Sequence, residues 1–389
     1  MAIQGRLEFD VCILGAGMVG AALACVLANN GMRVALIEPY LPHPFNAQES
    51  PDLRVSALNK HSIDLLSSVH ALDEIKSMRY RKYDALMVWE DEAAKTQFSA
   101  KDVDEPQLGI FAENRVIQLA LLKSISGHFA ESVTIFNSSA SSIDVQQGLV
   151  QLASGEHIQA HFIAGADGAQ SQVRSVAGIG QVGWDYSQHA NLVLVKMKNA
   201  IEDMTWQQFT PSGPVALLPM HDDYASLVWY DSAERSSAIS NMDNAQLKEA
   251  IVKKFPSTLG DFEVCSQAGF GLRRMHTTRY YKHKAVLVGD AAHTINPLAG
   301  QGVNLGFKDV TALAQSLQAH SIGELEHAFA AYEKARRGQN LLMMSTMDAL
   351  YATFSNNNTV LKTVRNFALG AAEKAGPLKN KALKYAMGL

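Results

Sequence analysis

The chain has 389 residues, of which 47% are hydrophobic and 19% are charged. This composition excludes the disordered and collagen-like classes, and the length predicts about two to three globular domains. The 34 Lys and Arg residues against 38 Asp and Glu residues give a net charge of −4. Because nucleic-acid binding depends on an excess of cations, we expect no nucleic-acid partner.

The cysteines and the apolar stretches indicate the cellular compartment and whether a metal site is expected. Three cysteines without CxxC spacing predict neither a disulfide framework nor a cysteine-rich metal site, and no HExxH motif is present, so we expect no metal. The N-terminus has no apolar signal core, and no stretch reaches the roughly 18 apolar residues of a membrane span. These features favour a cytoplasmic protein.

The first predicted elements form a βαβ unit. A buried strand over residues 11–14 is followed by the sequence GAGMVG at residues 15–20. A small-residue helix then continues over residues 21–30, and a second strand is predicted over residues 33–38. This order is typical of a dinucleotide-binding domain with a parallel sheet.

The glycine turn matches GxGxxG in the context that its mechanism requires. Gly15 permits the tight turn, Gly17 lets the backbone approach a pyrophosphate, and Gly20 lets helix and strand pack closely. The helix N-terminus offers N–H groups to the anion, and Glu38 can accept hydrogen bonds from ribose hydroxyls. The predicted cofactor-binding residues here are Gly15, Gly17, Met18, Val19, Gly20 and Glu38.

Beyond this unit the pattern changes twice. Helices are predicted over residues 56–69 and 113–128, and strands over residues 133–136 and 149–152. From about residue 186 to 230, alternating and β-branched runs predict a second, mainly antiparallel sheet. A buried strand at residues 285–288 precedes GDAAH, and a helical remainder is predicted from residue 302 to the end.

A second stretch also matches GxGxxG, at residues 178–183. It follows a predicted helix rather than a strand, and the residues after it do not form an amphipathic helix. We therefore interpret these glycines as a helix cap and a turn into the second sheet. The sequence predicts one dinucleotide fingerprint.

Two further loops follow buried strands: GADGAQSQVR at residues 165–174, and GDAAH with the downstream loop at residues 297–304. Each alone is a weak turn signal. Physically, Asp290 could meet sugar-like hydroxyls, and backbone N–H groups near residues 300–304 could face a centre that gains negative charge on reduction.

Together, the three motifs resemble those of FAD-dependent aromatic hydroxylases, in the same order and over nearly the whole chain. The resemblance implies that the first motif binds the ADP half of FAD. It implies that Asp167 lies near FAD and the transiently bound pyridine nucleotide, and that Asp290 contacts the ribityl chain.

Within that family the chain is especially similar to the ubiquinone-biosynthesis hydroxylases, through residues 54–58, 113–118, 205–211, 226–231, 296–306 and 382–385. Arg54 and Gln118 match positions near the isoalloxazine and ribityl groups. The further cofactor-binding residues that this resemblance implies are Arg54, Arg115, Gln118, Asp167, Gly289, Asp290, Pro297, Gly300, Gly302, Val303 and Asn304.

The predicted fold is α/β: a Rossmann-like FAD-binding domain with an inserted, mainly antiparallel β-sheet substrate domain and a helical C-terminus. The FAD-binding domain is assigned to residues 1–75, 106–183 and 270–340. The substrate domain is assigned to residues 76–105 and 184–269, and the C-terminal helical segment to residues 341–389.

The implied function is an FAD-dependent monooxygenase that hydroxylates a polyprenylated benzoquinol in ubiquinone biosynthesis. The resemblance implies NAD(P)H as transient reductant, O2 as oxygen source and a flavin C4a-hydroperoxide as intermediate. Three alternatives stay open: a hydroxylase of another ring position, an FAD-dependent reductase or oxidase, and a quinol-binding scaffold without turnover. The motifs assign no catalytic side chain, since the flavin carries the chemistry.

Candidates for substrate contact are aromatic residues of the inserted sheet, namely Trp206, Phe209, Trp229 and Tyr230. The stretch from residue 359 to 389 carries six cations against one anion, and its apolar residues recur at helical spacing. It could contact the inner face of a membrane or another enzyme of the pathway, or be a solvated helix face. The sequence carries no signal for an oligomeric state.

Overall fold

The computed structural model describes residues 6–91, 94–296 and 302–354, together with residues 376, 380, 383 and 384. In chain order the strands are β1 (Leu7–Leu14), β2 (Val34–Ile37), β3 (Val55–Asn59), β4 (Arg81–Tyr83), β5 (Ala85–Trp89), β6 (Thr96–Ser99), β7 (Gly109–Glu113), β8 (Val133–Phe136), β9 (Ala140–Asp144), β10 (Leu149–Leu152), β11 (His157–Gly165), β12 (Gln181–Met197), β13 (Met204–Gln208), β14 (Val215–Pro219), β15 (Tyr224–Ser232), β16 (Phe262–Thr277), β17 (Tyr281–Lys282), β18 (Ala285–Leu287) and β19 (His293–Thr294).

The α-helices, again in chain order, are α1 (Met18–Asn29), α2 (Lys60–Ser68), α3 (Leu72–Met78), α4 (Asn114–His128), α5 (Gln172–Val176), α6 (Ala233–Ser240), α7 (Asn244–Lys254), α8 (Gly302–Gln318) and α9 (Leu325–Phe354). Short 3-10 helices lie at Ala100–Val103, Ser257–Leu259, Gly289–Ala291 and Ile322–Glu324. Among the described residues, no helix is long and apolar enough to cross a membrane.

The first sheet contains the predicted βαβ unit and positions all three motifs. Its central order is β17-β18-β11-β1-β2-β8, and β11, β1, β2 and β8 run parallel. Leu14 pairs with both Ile37 and Gly165, and Gly165 pairs with Leu287. Because these residues end their strands at the same level, the turns that follow meet at one edge of the sheet.

The second sheet is the predicted, mainly antiparallel one, with the order β19-β16-β12-β15-β14-β13-β5-β6. Its long strands β12 and β16 run without interruption past residues 184 and 269, where the sequence suggested domain boundaries. Strand β19, which begins at the histidine of GDAAH, joins the sheet by pairing with β16. The division into domains at those residues stays a prediction, while the α/β fold with these two kinds of sheet is confirmed.

A small third sheet, β3-β7-β4, corrects one predicted element. The helix expected from residue 56 begins only at Lys60, because residues 55–59 pair with β7. Asn59 then caps the helix by accepting a hydrogen bond from the Ser62 amide. The helix predicted over residues 113–128 is confirmed as α4.

At the C-terminal end, α9 extends to residue 354, so the first part of the predicted helical segment is helical. Most of the basic stretch from residue 359 onward lies outside the described residues. Leu383 is an exception: it is buried in a cluster with Ala100, Val103 and Leu108.

Candidate functional site

The glycine loop between β1 and α1 needs two of its glycines for packing and leaves the third open. Gly15 has φ +97°, and a Cβ there would lie 2.5 Å from the carbonyl oxygen of Ala166. A Cβ on Gly20 would overlap the carbonyl oxygen of Gly15. A Cβ on Gly17 would meet no atom within 4 Å, so the backbone at this position faces open space.

The N-terminus of α1 points its amides toward that space. Gly17 is the N-cap residue and offers no side chain to them, and the first turn contains no acidic residue. Unpaired N–H groups and the helix dipole together favour an anion at this position. The loop therefore fits the pyrophosphate of a dinucleotide.

Two predicted cofactor residues, Glu38 and Gln118, both contact the loop at Ala16. The Glu38 carboxylate accepts hydrogen bonds from the Ala16 amide at 2.8 Å and from the Tyr40 amide at 3.0 Å. Gln118 Nε2, from α4, donates to the Ala16 carbonyl at 2.7 Å. These side chains fix the shape of the loop, and their direct contact with a cofactor stays a prediction.

In the second motif, Asp167 caps α5. Its Oδ2 atom accepts hydrogen bonds from the amides of Gln172 at 2.7 Å and Val173 at 3.2 Å. Arg174, buried on the same helix, donates to the Ala291 carbonyl at 3.0 Å. The second motif is thus joined to the third, and the predicted contact of Asp167 with cofactor is not tested by these bonds.

The third motif begins with a glycine that packs against α1. Gly289 has φ +59°, and a Cβ there would lie 3.2 Å from Val19; a Cβ on Gly306 would lie 2.5 Å from the same side chain. The Val19 side chain therefore fills the space between α1, this turn and α8. Its side chain packs within the protein, and only its backbone belongs to the predicted anion site.

Asp290 of the third motif interacts electrostatically with Arg54. Both side chains are exposed to solvent, although protein surrounds Asp290 on most sides and raises the pKa of its carboxyl. Electrostatic interactions with His293 and Arg54 oppose that rise. The structure thus brings together a carboxylate and a guanidinium that the sequence separates by more than 200 residues.

The predicted cofactor residues at and before the start of α8 have different positions in the structure. Asn304 is buried, and its side chain accepts from the Asn59 amide at 3.0 Å and from Ser62 Oγ at 2.6 Å while donating to the Ala57 carbonyl at 2.7 Å. It therefore links α8 to β3 and α2. Gly302 and Val303 begin the helix, and Pro297 and Gly300 lie outside the described residues.

Comparison with known proteins now decides the family, because residues 8–342 match the FAD binding domain family. The chain belongs to this family of FAD-dependent monooxygenases. It is 45% identical to the 3-demethoxyubiquinol 3-hydroxylase of Escherichia coli (strain K12), over 98% of this chain and 98% of that protein. The predicted resemblance, the FAD cofactor and the enzyme class are confirmed.

Two further comparisons agree. The chain is 31% identical to the mitochondrial ubiquinone biosynthesis monooxygenase COQ6 of Xenopus tropicalis, covering 99% of this chain and 95% of the relative. The crystal structure of p-nitrophenol 4-monooxygenase PnpA from Pseudomonas putida DLL-E4 superposes with a TM-score of 0.80 at 18% identity, covering 98% and 99% of the two chains. At that identity the likeness shows the fold alone.

Arg115, implied as a cofactor residue, is turned toward the loop over residues 43–52. Its guanidinium donates to Asp52 at 3.0 Å and to Glu49 at 3.1 Å, and it contacts the His43 ring. This loop connects Glu38 to Arg54, so Arg115 fixes a segment whose two ends both reach the site. A direct contact between Arg115 and FAD remains a prediction.

The four aromatic candidates do not lie together. Trp206 and Trp229 belong to a core between the second sheet and helices α6 and α7, where they pack against Phe255. Since adjacent strand residues point to opposite faces, Tyr230 faces the other way, and its hydroxyl lies 3.4 Å from Asn296 Oδ1, next to the third motif. Of these three residues, Tyr230 is the one shown next to the third motif, and contact of Trp206 and Trp229 with substrate stays a prediction.

Phe209 is the remaining candidate. It is buried, and its amide donates to the Trp89 carbonyl at 2.7 Å. Nothing in these contacts places its ring beside Tyr230, so its contact with substrate also stays a prediction.

Sequence reasoning missed a buried polar cluster beneath the third motif, built on Asp309. This residue is on α8 and is fully buried with Arg336 and Asn340 of α9. A signal was present: Leu305, Asp309 and Leu313 recur every four residues, which puts a carboxylate on the apolar stripe of the helix. Within the described part of the chain, no group of three or more His, Cys, Asp or Glu residues could hold a metal ion.

Proposed function

We propose that this flavoprotein hydroxylates the ring of a polyprenylated benzoquinol in ubiquinone biosynthesis, at the position used by 3-demethoxyubiquinol hydroxylases, with NAD(P)H as reductant. The observation that carries the proposal is 45% identity over 98% of both chains to the Escherichia coli protein of that name. The similarity extends beyond the three motifs, which related hydroxylases of other specificity share.

Different residues at the sheet edge would bind different parts of FAD. The amides at the start of α1 would bind the pyrophosphate, Glu38 would accept from the ribose, and Asp290 would accept from the ribityl hydroxyls. The first amides of α8 would stabilise the ring that becomes negatively charged on reduction. When bound, FAD supplies the redox chemistry by which O2 is activated and one oxygen atom is transferred to the quinol ring.

The second sheet supplies the substrate side. Around Tyr230 lies an apolar cluster made of side chains from the sheet, the third motif and both C-terminal helices; it includes Leu272, Ile295, Leu305, Met343, Met344 and Met347. These side chains are buried next to the third motif, and we propose that the apolar ring and prenyl tail of the substrate bind against them, where water is excluded. The Tyr230 and Asn296 side chains are the polar groups that could orient a ring hydroxyl there.

Mass spectrometry of the product tests the proposal. Purified protein with FAD, NAD(P)H, ¹⁸O2 and a short-chain 3-demethoxyubiquinol is expected to give a product with one labelled oxygen atom at the vacant ring position. Label at another position would indicate a different hydroxylase of the pathway. NAD(P)H oxidation that yields only unlabelled product and peroxide would favour a reductase or oxidase, and FAD binding without oxidation would favour a scaffold.

We further propose contact with the inner face of the cytoplasmic membrane, where a polyprenylated substrate resides. The support is chemical: six cations against one anion over residues 359–389, and a substrate class that dissolves in lipid. Sedimentation with vesicles that contain anionic lipid should remove the protein from solution. Vesicles of neutral lipid provide the control, and equal sedimentation with both would exclude the electrostatic contribution.

A further inference from the structure

The buried carboxylate of Asp309 joins two parts of the molecule. Its Oδ2 atom accepts hydrogen bonds from the Gly289 amide at 3.1 Å and from His293 Nε2 at 2.5 Å. Its Oδ1 atom accepts from Arg336 Nε at 2.8 Å and from Asn340 Nδ2 at 3.0 Å. One oxygen therefore serves the third motif, and the other serves α9.

This carboxylate is ionised and saturated with donors. Burial alone would raise the pKa of Asp309, but the charge and hydrogen bond of His293, the charge of Arg336 and the hydrogen bond of Asn340 bring it below the ordinary value. Because a buried ion pair replaces apolar packing at little or no net gain in stability, a role in placing its partners is the better account of it.

The carboxylate holds the turn that contains Asp290, residues 289–293. Gly289 adopts a left-handed conformation, and its amide donates to Asp309. The His293 ring donates from the other end of the same turn. The only residue of this five-residue segment with an exposed side chain is Asp290, which lies between the two fixed ends and interacts electrostatically with Arg54.

We propose that Asp309 is a positioning residue for FAD: by holding Gly289 and His293, it places the Asp290 carboxylate where the ribityl chain binds. The proposal rests on the proposed contact of Asp290 with FAD. In this proposal the two oxygens of Asp309 have different functions: Oδ2 holds the turn, and Oδ1 binds side chains of α9.

Four single variants test this separation by the dissociation constant of FAD from the apoprotein, followed by quenching of flavin fluorescence. Asp290→Asn tests the direct contact. Asp309→Asn removes the charge at constant size, and His293→Ala removes one turn-side donor while Asp309 keeps its pair with Arg336. Asn340→Ala is the matched control, because Asn340 is equally buried and donates to the other oxygen.

We expect the dissociation constant to rise about tenfold in Asp290→Asn and Asp309→Asn, and by a smaller factor in His293→Ala. In Asn340→Ala it should stay within about twofold of the wild type, although the midpoint of thermal unfolding falls. Circular dichroism identifies a temperature at which every variant is folded. If Asp309→Asn does not fold, the comparison between His293→Ala and Asn340→Ala decides the matter alone.

Each contrary result is distinguishable. Unchanged affinity in Asp290→Asn overturns the proposed ribityl contact and the inference built on it. Loss in Asp290→Asn with unchanged affinity in Asp309→Asn and His293→Ala overturns the inference alone. An equal loss in Asn340→Ala would show that any loosening of the cluster weakens FAD binding, and would also overturn it.

Discussion

Two segments of this chain have the same glycine pattern and different structures. Residues 15–20 follow β1 and run into the first turn of α1, and residues 178–183 follow α5 and run into the start of β12. In the first segment the middle glycine faces open space at a helix N-terminus. In the second segment the last glycine lies inside a strand, where a Cβ would overlap the Arg274 carbonyl oxygen and the Met275 sulfur.

The difference lies in what the glycines connect. A strand that ends in a turn before a helix leaves amide donors unpaired, and these can bind an anion. A helix that ends in a turn before a strand has its backbone groups paired already: Gly178 and Ile179 donate to Ser175 and Arg174 at 3.0 and 3.1 Å, as in a Schellman cap. The pattern thus leaves amides available to an anion only in the first context.

The largest expected effect is on FAD binding at Gly17, where folding should change little. Gly17→Val should abolish retention of FAD, because the side chain would occupy the space into which the pyrophosphate fits. Since a Cβ there meets no protein atom within 4 Å and φ is −64°, the apoprotein should lose only about 1 kcal/mol of stability, the cost of a poor N-cap residue. Flavin absorbance after purification and thermal unfolding measure the two effects. Full yellow colour in this variant would contradict the assignment of the first motif.

The matched change in the second segment should have the opposite result, a loss of stability without a loss of FAD binding. Gly183→Val places a side chain against the backbone of β16, so unfolding should be easier by about 1–3 kcal/mol. The dissociation constant of FAD, measured where the variant is folded, should equal that of the wild type. A loss of FAD affinity without a loss of stability would mean that residues 178–183 also contact the cofactor.

The sequence predicted the first segment well, because its turn chemistry is local. Strand, glycines and helix lie within about 30 residues, and each glycine has a reason in the turn itself. The wrong start of α2 had a distant cause: residues 55–59 pair with β7, some 50 residues later. No local signal at residue 56 reports that pairing.

The site was predicted less completely for the same reason. The choice between Trp229 and Tyr230 depends on which face of the second sheet meets the third motif, and the sequence of the strand does not contain that information. Asp309 could have been found from its place on the apolar stripe of α8. Its partners on the turn and on α9 depend on tertiary packing alone.

The smallest expected effect concerns a conformational property that the two segments share, a first glycine with positive φ. Gly15 and Gly178 have φ values of +97° and +61°. At Gly178 a Cβ would meet only the flexible end of Lys282, at 3.3 Å, so Gly178→Ala should cost about 1 kcal/mol of backbone strain. Gly15→Ala adds a 2.5 Å clash with the Ala166 carbonyl oxygen, so its loss of stability should be clearly larger. FAD affinity should fall only in the Gly15 variant, because only that turn presents amides to a ligand. Urea unfolding measures the stability of both variants, and equal losses of stability would show that backbone conformation rather than packing dominates at both turns.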